Sequence, residues 1–173
     1  MKKNNNKGST LILVIIALAL VTIFTWIIFT QINHQIKSNY DLSVDVHLKY
    51  ASESGIENTI SKVIEEIDTK LNEYIEAPED KKDSNIFIEV PNNTYLFDKG
   101  YGFVVNDVPK VPIEILSLND KVIFAKDIVM KIVSTGMYKD DKYKTEAEVT
   151  FKTKTMANGK FEITYVVNTY KHI

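Results

Sequence analysis

The chain has 173 residues, 45% of them hydrophobic, a formal charge of −2 and no cysteine. That is the size of one domain; it excludes disulfides and thiolate metal sites, and a slightly acidic balance is a poor match for nucleic acid, which rewards clustered positive charge. All 21 basic residues are lysine, which argues against the guanidinium clamp that planar recognition of phosphate or carboxylate favours.

The first element is apolar. Nineteen uncharged residues run from Leu11 to Phe29, with Lys2, Lys3 and Lys7 before them and no lysine after them until Lys37. As a helix this stretch measures about 28 Å, close to the hydrocarbon thickness of a bilayer. The lysine asymmetry predicts a cytoplasmic N-terminus. A secretory signal needs a shorter apolar run followed by a small-x-small site. Ala17-Leu18-Ala19 has that form but lies inside the span, and a cut there leaves Leu20 to Phe29 as an apolar tail. A retained membrane segment is therefore expected.

The apolar pattern then thins to a stripe: Ile32, Ile36, Tyr40, Val44, Leu48, Ala51, Gly55 or Ile56, Ile60, Val63 or Ile64, Ile67, Leu71 and Tyr74. Steps of three to five residues define one face of an amphipathic helix. The opposite face carries Lys37, Asp41, Asp45, Lys49, Glu53, Glu57, Lys62, Glu66 and Lys70. Ala77-Pro78-Glu79-Asp80 reads as the stop. A kink is expected near Ser38-Asn39-Tyr40-Asp41, and Gly55, worth about 1 kcal/mol less than alanine in a helix, is a second weak point.

After a polar linker the period changes to two. Ile86 to Val90, Gly100 to Val105, and a hairpin of Ile113 to Leu118 with Val122 to Phe124 are candidate strands, their order open. Three clearer strands follow, 128–135, 143–154 and 161–168, with Asp140-Asp141-Lys142 and Ala157-Asn158-Gly159 as turns. An antiparallel meander with one wet face needs a cover for the other, and the stripe from Val44 to Leu71 provides it. The fold class is α+β: a long N-terminal helix packed on a C-terminal antiparallel sheet.

Little in the chain points to chemistry. His34 and His47 are thirteen residues apart, beyond the one-turn spacing of a helical metal pair, and His172 sits where a terminus is expected to fray. Lys99-Gly100-Tyr101-Gly102 is a turn, not a phosphate loop. Asp140-Asp141 reads as a hairpin loop before it reads as a calcium ligand, and no serine has the setting of a nucleophile elbow. No catalytic residue, metal or cofactor is expected.

The junction Lys7-Gly8-Ser9-Thr10, followed at once by the apolar run, resembles the class III leader of type IV pilins and pseudopilins. The resemblance implies that a prepilin peptidase cuts between Gly8 and Ser9 and methylates the Ser9 amine. Lys2, Lys3 and Lys7 then supply the leader charge. Most of that family carries glutamate at the fifth mature position, where this chain has Leu13. A buried carboxylate needs a partner, so a leucine resembles the minor pilins that enter a filament first, at its tip. Tyr50 to Ile60, YASESGIENTI, is similar to the signature after the span in PilX-like minor pilins, with Gly55, Ile56 and Glu57 matching and Ser54 where alanine is common.

The implied map is a leader over 1–8, a membrane or filament-core helix over 9–30, a stalk helix over 31–76, a linker over 77–85 and a sheet head over 86–173. The implied partners are other minor and major pilins, the prepilin peptidase, the assembly platform with its motor, and the membrane. The implied location is the cell membrane, head outward, and then a surface filament. Two alternatives stand beside this: an uncleaved single-pass anchor with an extracellular binding or adhesin head, and a secreted domain behind a signal.

Overall fold

The computed structural model describes residues 7–78, 85–97, 100–118, 121–155 and 161–173, with side chains described for 10–78, 86–97, 100–115, 124–153 and 162–173. The first element, α1, is one helix from Lys7 to Glu76. Its helical hydrogen bonding continues through Ser38–Asp41 and Gly55 without a break. Local preference at a few polar residues is a weak prior in a helix of this length. The chain divides into two compact units, Met1–Val44 and Asp45–Ile173.

In the second unit, the rear of α1 meets eight strands. These are β1 (Asn85–Ile88), β2 (Asn93–Leu96), β3 (Tyr101–Val105), β4 (Val111–Leu118), β5 (Lys121–Phe124), β6 (Ile128–Tyr138), β7 (Asp141–Thr155) and β8 (Phe161–His172). They form two antiparallel sheets, one ordered β1-β4-β5 and the other β2-β3-β6-β7-β8. The expected α+β layering is present. The single head sheet implied by the sequence is in fact two, and the open order of the middle strands resolves as an interleaving, with β1 skipping past β2 and β3 to pair with β4.

Alternation sets the faces. Along β6, Ile128, Met130, Ile132, Ser134 and Gly136 are buried, while Val129 and Lys131 face solvent. Their partners Phe151, Val149, Ala147 and Thr145 on β7 are buried with them. Ile56, Ile60, Val63, Ile67 and Leu71 of α1 close this layer and also reach Ile88 and Ile113 of the smaller sheet. Each large aliphatic side chain withdrawn from water in this way contributes about 1.5–3 kcal/mol, so the rear of α1 is held by packing, Gly55 included.

Two elements differ from expectation. β2 occupies Asn93–Leu96, where no strand was expected; β1 already ends at Ile88, short of the expected Val90, and pairing with β3 makes Asn93–Leu96 a strand. The β6–β7 turn is Lys139-Asp140, one residue earlier than expected, with Asp141 already paired to Tyr138. Lys139 takes a positive φ of 53°, and its amine lies 5.0 Å from the centre of the Tyr138 ring. The expected turn at Ala157-Asn158-Gly159 lies outside the described residues, as do Asn119-Asp120, which join the two strands of the expected hairpin, and most of the linker.

The buried Ser134 hydroxyl has no hydrogen-bond partner. An unpaired buried hydroxyl costs about 1–3 kcal/mol, and an apolar residue of similar shape removes that cost. Ser134→Ala is therefore expected to stabilise the protein by about 1 kcal/mol, read as a rise in the urea midpoint at unchanged slope.

Candidate functional site

In the first unit, the described side chains from Leu11 to Phe29 are all exposed, Trp26 at 73% and Leu13 at 68%. This stretch lies in a helix long and apolar enough to cross a membrane, with a mean hydropathy of 3.0 in its most apolar window and none of that window buried. The threonine hydroxyls in and just after it are satisfied internally. Thr22 donates to the Ala19 carbonyl, Thr25 to Val21 and Thr30 to Trp26, each at 2.8 Å. Such back-bonding removes the free hydroxyls that hydrocarbon would penalise. The apolar, near-N-terminal character of the segment fits a single-pass membrane protein.

Lys2 and Lys3 lie outside the described residues. Lys7, Gly8 and Ser9 form the first turn of α1. Leu13 is one turn further on, exposed like its apolar neighbours.

In the second unit, the residues of the expected signature sit where the helix lies close against the sheet. A Cβ on Gly55 would collide with the Ser134 hydroxyl and stand 2.9 Å from Phe103 Cδ2. Across the same seam, a Cβ on Gly136 would run into the Leu48 carbonyl and stand 3.0 Å from the Ser52 nitrogen. Each glycine thus supplies a missing side chain to the other element. Ile56 is fully buried beside this contact. Glu57 is exposed and is a source of negative potential at Tyr170.

Polar tethers flank the glycine seam. The Ser52 and Thr145 hydroxyls are 2.6 Å apart, and Ser52 also donates to the Lys49 carbonyl at 2.7 Å. Thr145 lies 3.3 Å from His172 Nδ1, and His172 Nε2 lies 3.9 Å from Glu53. His172 is therefore not frayed; β8 pairing with β7 holds it against the helix. On the other flank, Asn93 donates to the Asn58 amide oxygen at 2.6 Å. His47 of α1 approaches Tyr101 of β3 at 4.9 Å between ring centres, so it is an anchor as well as a solvated side chain.

Burial, then the carboxylates of Glu53 and Glu57, push the Tyr170 phenol up to about 12. An unfolded tyrosine ionises near 10, so the folded chain holds this proton longer. The resulting stability is complete below pH 10 and lost as pH climbs towards 12. Urea midpoints measured across that window are expected to fall less steeply for Tyr170→Phe than for the unsubstituted protein.

Gly136, Ser52, Thr145 and Tyr170 were not legible as seam residues from the sequence. A glycine late in a strand, on the buried parity, was the one available signal, and it named no partner. Among the described residues, no group of three or more His, Asp or Glu is placed to hold a metal ion. No protein-family model, curated protein or solved structure matches this chain.

Proposed function

We propose that this protein is a minor pilin or pseudopilin of the PilX-like type, trimmed between Gly8 and Ser9 and assembled at the tip of a type IV or secretion-type filament. The observation that carries this reading is that one helix does two jobs. Its front is apolar and uncovered over Leu11–Phe29, while from Leu48 its stripe closes the core of the head. In this reading the front leaves lipid for a bundle of neighbouring pilin helices. Lipid tails and apolar side chains are similar surroundings, so packing decides the exchange. Leu13 places no carboxylate in that bundle, which suits a subunit with no predecessor. The cytoplasmic leader and outward head follow from the lysine asymmetry. The partners are other pilins, the prepilin peptidase, and the assembly platform with its motor.

A second reading rests on the first turn of α1. Lys7 to Ser9 are already helical, as in an uncleaved single-pass anchor with an outward binding head. For a peptidase that takes an extended strand, this turn must open, and glycine lowers its hold by about 1 kcal/mol. N-terminal sequencing of protein isolated from its own cells separates the readings. A methylated Ser9 is the expected result; Met1 or Lys2 establishes the anchor.

A further inference from the structure

The five-stranded sheet ends at β8, a strand of twelve residues bonded on one side only, to β7. Long edge strands are usually blunted by charge, glycine or proline, yet from Ile163 to Tyr170 this one carries none. The Ile173 amide donates to the Lys144 carbonyl at 2.9 Å, so even-numbered β7 residues turn towards β8. Opposite them stand Lys171, Thr169, Val166, Thr164 and Glu162. The backbone groups left open belong to Ile163, Tyr165, Val167, Tyr170 and His172, the step of three marking the extra residue at the register shift beside Glu148/Val149.

The core is left ajar along the same edge. Ile163, Tyr165, Val167 and Tyr170 share the face of Thr153, Phe151, Val149 and Ala147, their partners on β7, and that face is turned to α1. Phe151, Val149 and Ala147 are fully buried, whereas Ile163 and Val167 are half-buried, Tyr165 is 49% exposed and Tyr170 42%. The rim across from them is α1. Glu53 and Glu57 are sources of negative potential at Tyr170, and Ile64, two turns beyond Glu57 on the same flank, is again half-buried. Glu53 is engaged by Lys49 and by His172, each at 3.9 Å. Glu57 is exposed and makes no salt bridge among the described residues.

Unmade main-chain bonds, a strip of half-covered apolar side chains and an unpaired carboxylate therefore line one side of the head. One ligand chemistry answers all three. We infer that β8 accepts an extended segment of a partner protein as a sixth strand, apolar on the side that meets Ile163, Tyr165 and Val167 and bearing lysine where it passes Tyr170 and Glu57. Main-chain bonds to the edge supply the affinity of such an added strand, and its alternate side chains, closing the strip and meeting Glu57, supply the specificity. The docking does not depend on the pilin reading.

The probe is a capped, fluorescein-labelled peptide, Lys-Thr-Val-Thr-Val-Thr-Val, whose odd positions run antiparallel past Tyr170, Val167, Tyr165 and Ile163. Fluorescence anisotropy with the full chain in detergent micelles is expected to show saturable binding. A peptide with glutamate in first place should bind about threefold to tenfold more weakly, and Glu57→Lys, at an exposed position that the fold does not need, should reverse that preference. Tyr165→Pro removes an edge amide that the sheet does not use and should weaken binding roughly tenfold. Tyr165→Val keeps that amide and should bind more tightly than Tyr165→Pro. Protein-free micelles giving the same anisotropy, a charge preference unmoved by Glu57→Lys, equal binding by Tyr165→Pro and Tyr165→Val, or occupation of the edge by a second copy of this chain overturns the inference.

Discussion

Gly136→Ala is expected to destabilise the protein by about 2–3 kcal/mol, towards the upper end of what overpacking costs. In an ordinary strand, alanine for glycine is mildly favourable, because it narrows the unfolded ensemble. The sign reverses here because the new methyl meets the Leu48 carbonyl and the Ser52 nitrogen, which are helix backbone. Backbone cannot rotate away; the helix must lift from the sheet, loosening the Ser52–Thr145 contact as it does. Gly55→Ala makes a useful comparison. Its methyl meets a hydroxyl and the edge of the Phe103 ring, so trimming Ser134 to alanine in the same chain should recover part of the loss. No side-chain trimming should rescue Gly136→Ala. Urea midpoints of the three variants and the double variant test both statements. An undisturbed Gly136→Ala removes the close seam from the account.

The second large effect concerns maturation. Under the proposed function, Gly8→Arg abolishes processing. Arginine adds a long charged side chain at the residue where a peptidase needs close approach to the backbone, and it removes the conformational freedom that helps the first turn of α1 open. The variant should accumulate in the membrane at full length, retaining the eight residues that the unsubstituted protein loses, and should be missing from any filament. Immunoblotting of membrane and sheared surface fractions reads both outcomes. Normal maturation of the variant removes the pilin reading while leaving the fold, the glycine seam and the β8 edge untouched.

Much of the architecture was legible because strong periodicities wrote it. The apolar run from Leu11, the stripe through Ile56 and Leu71, and the alternation over Ile128 to Ser134 each repeat long enough to specify a type and a buried face. What was hidden depends on long-range pairing. β2 has four residues and little buried surface, so Asn93 to Leu96 carries no usable alternation; β3 makes it a strand. Nothing local distinguishes β1, which joins the small sheet, from β2 and β3, which join the large one. His172 looked loose because terminal position says nothing about a partner on β7. Gly55 was legible as a helix weak point, and only the opposing Ser134 and Phe103 turn it into a fitted contact. The proposed cut at Gly8-Ser9 and the proposed role of Leu13 rest on resemblance alone, because nothing in the chain's own packing bears on either.

The interleaved strand order has a consequence for biogenesis. The chain makes its cover first and the surface to be covered last: the stripe from Ile56 to Leu71 is synthesised well before β6 and β7, and β1 waits for β4 while two strands of the other sheet come between. The β6–β7 hairpin, closed by a two-residue turn and paired over its full length, is the segment best placed to zip rapidly once available. Until then the greasy flank of the stalk has nowhere to dock. Any chaperone that attends this protein meets it during that interval, and a premature stop before β6 releases a sticky, headless rod rather than a smaller version of the finished molecule.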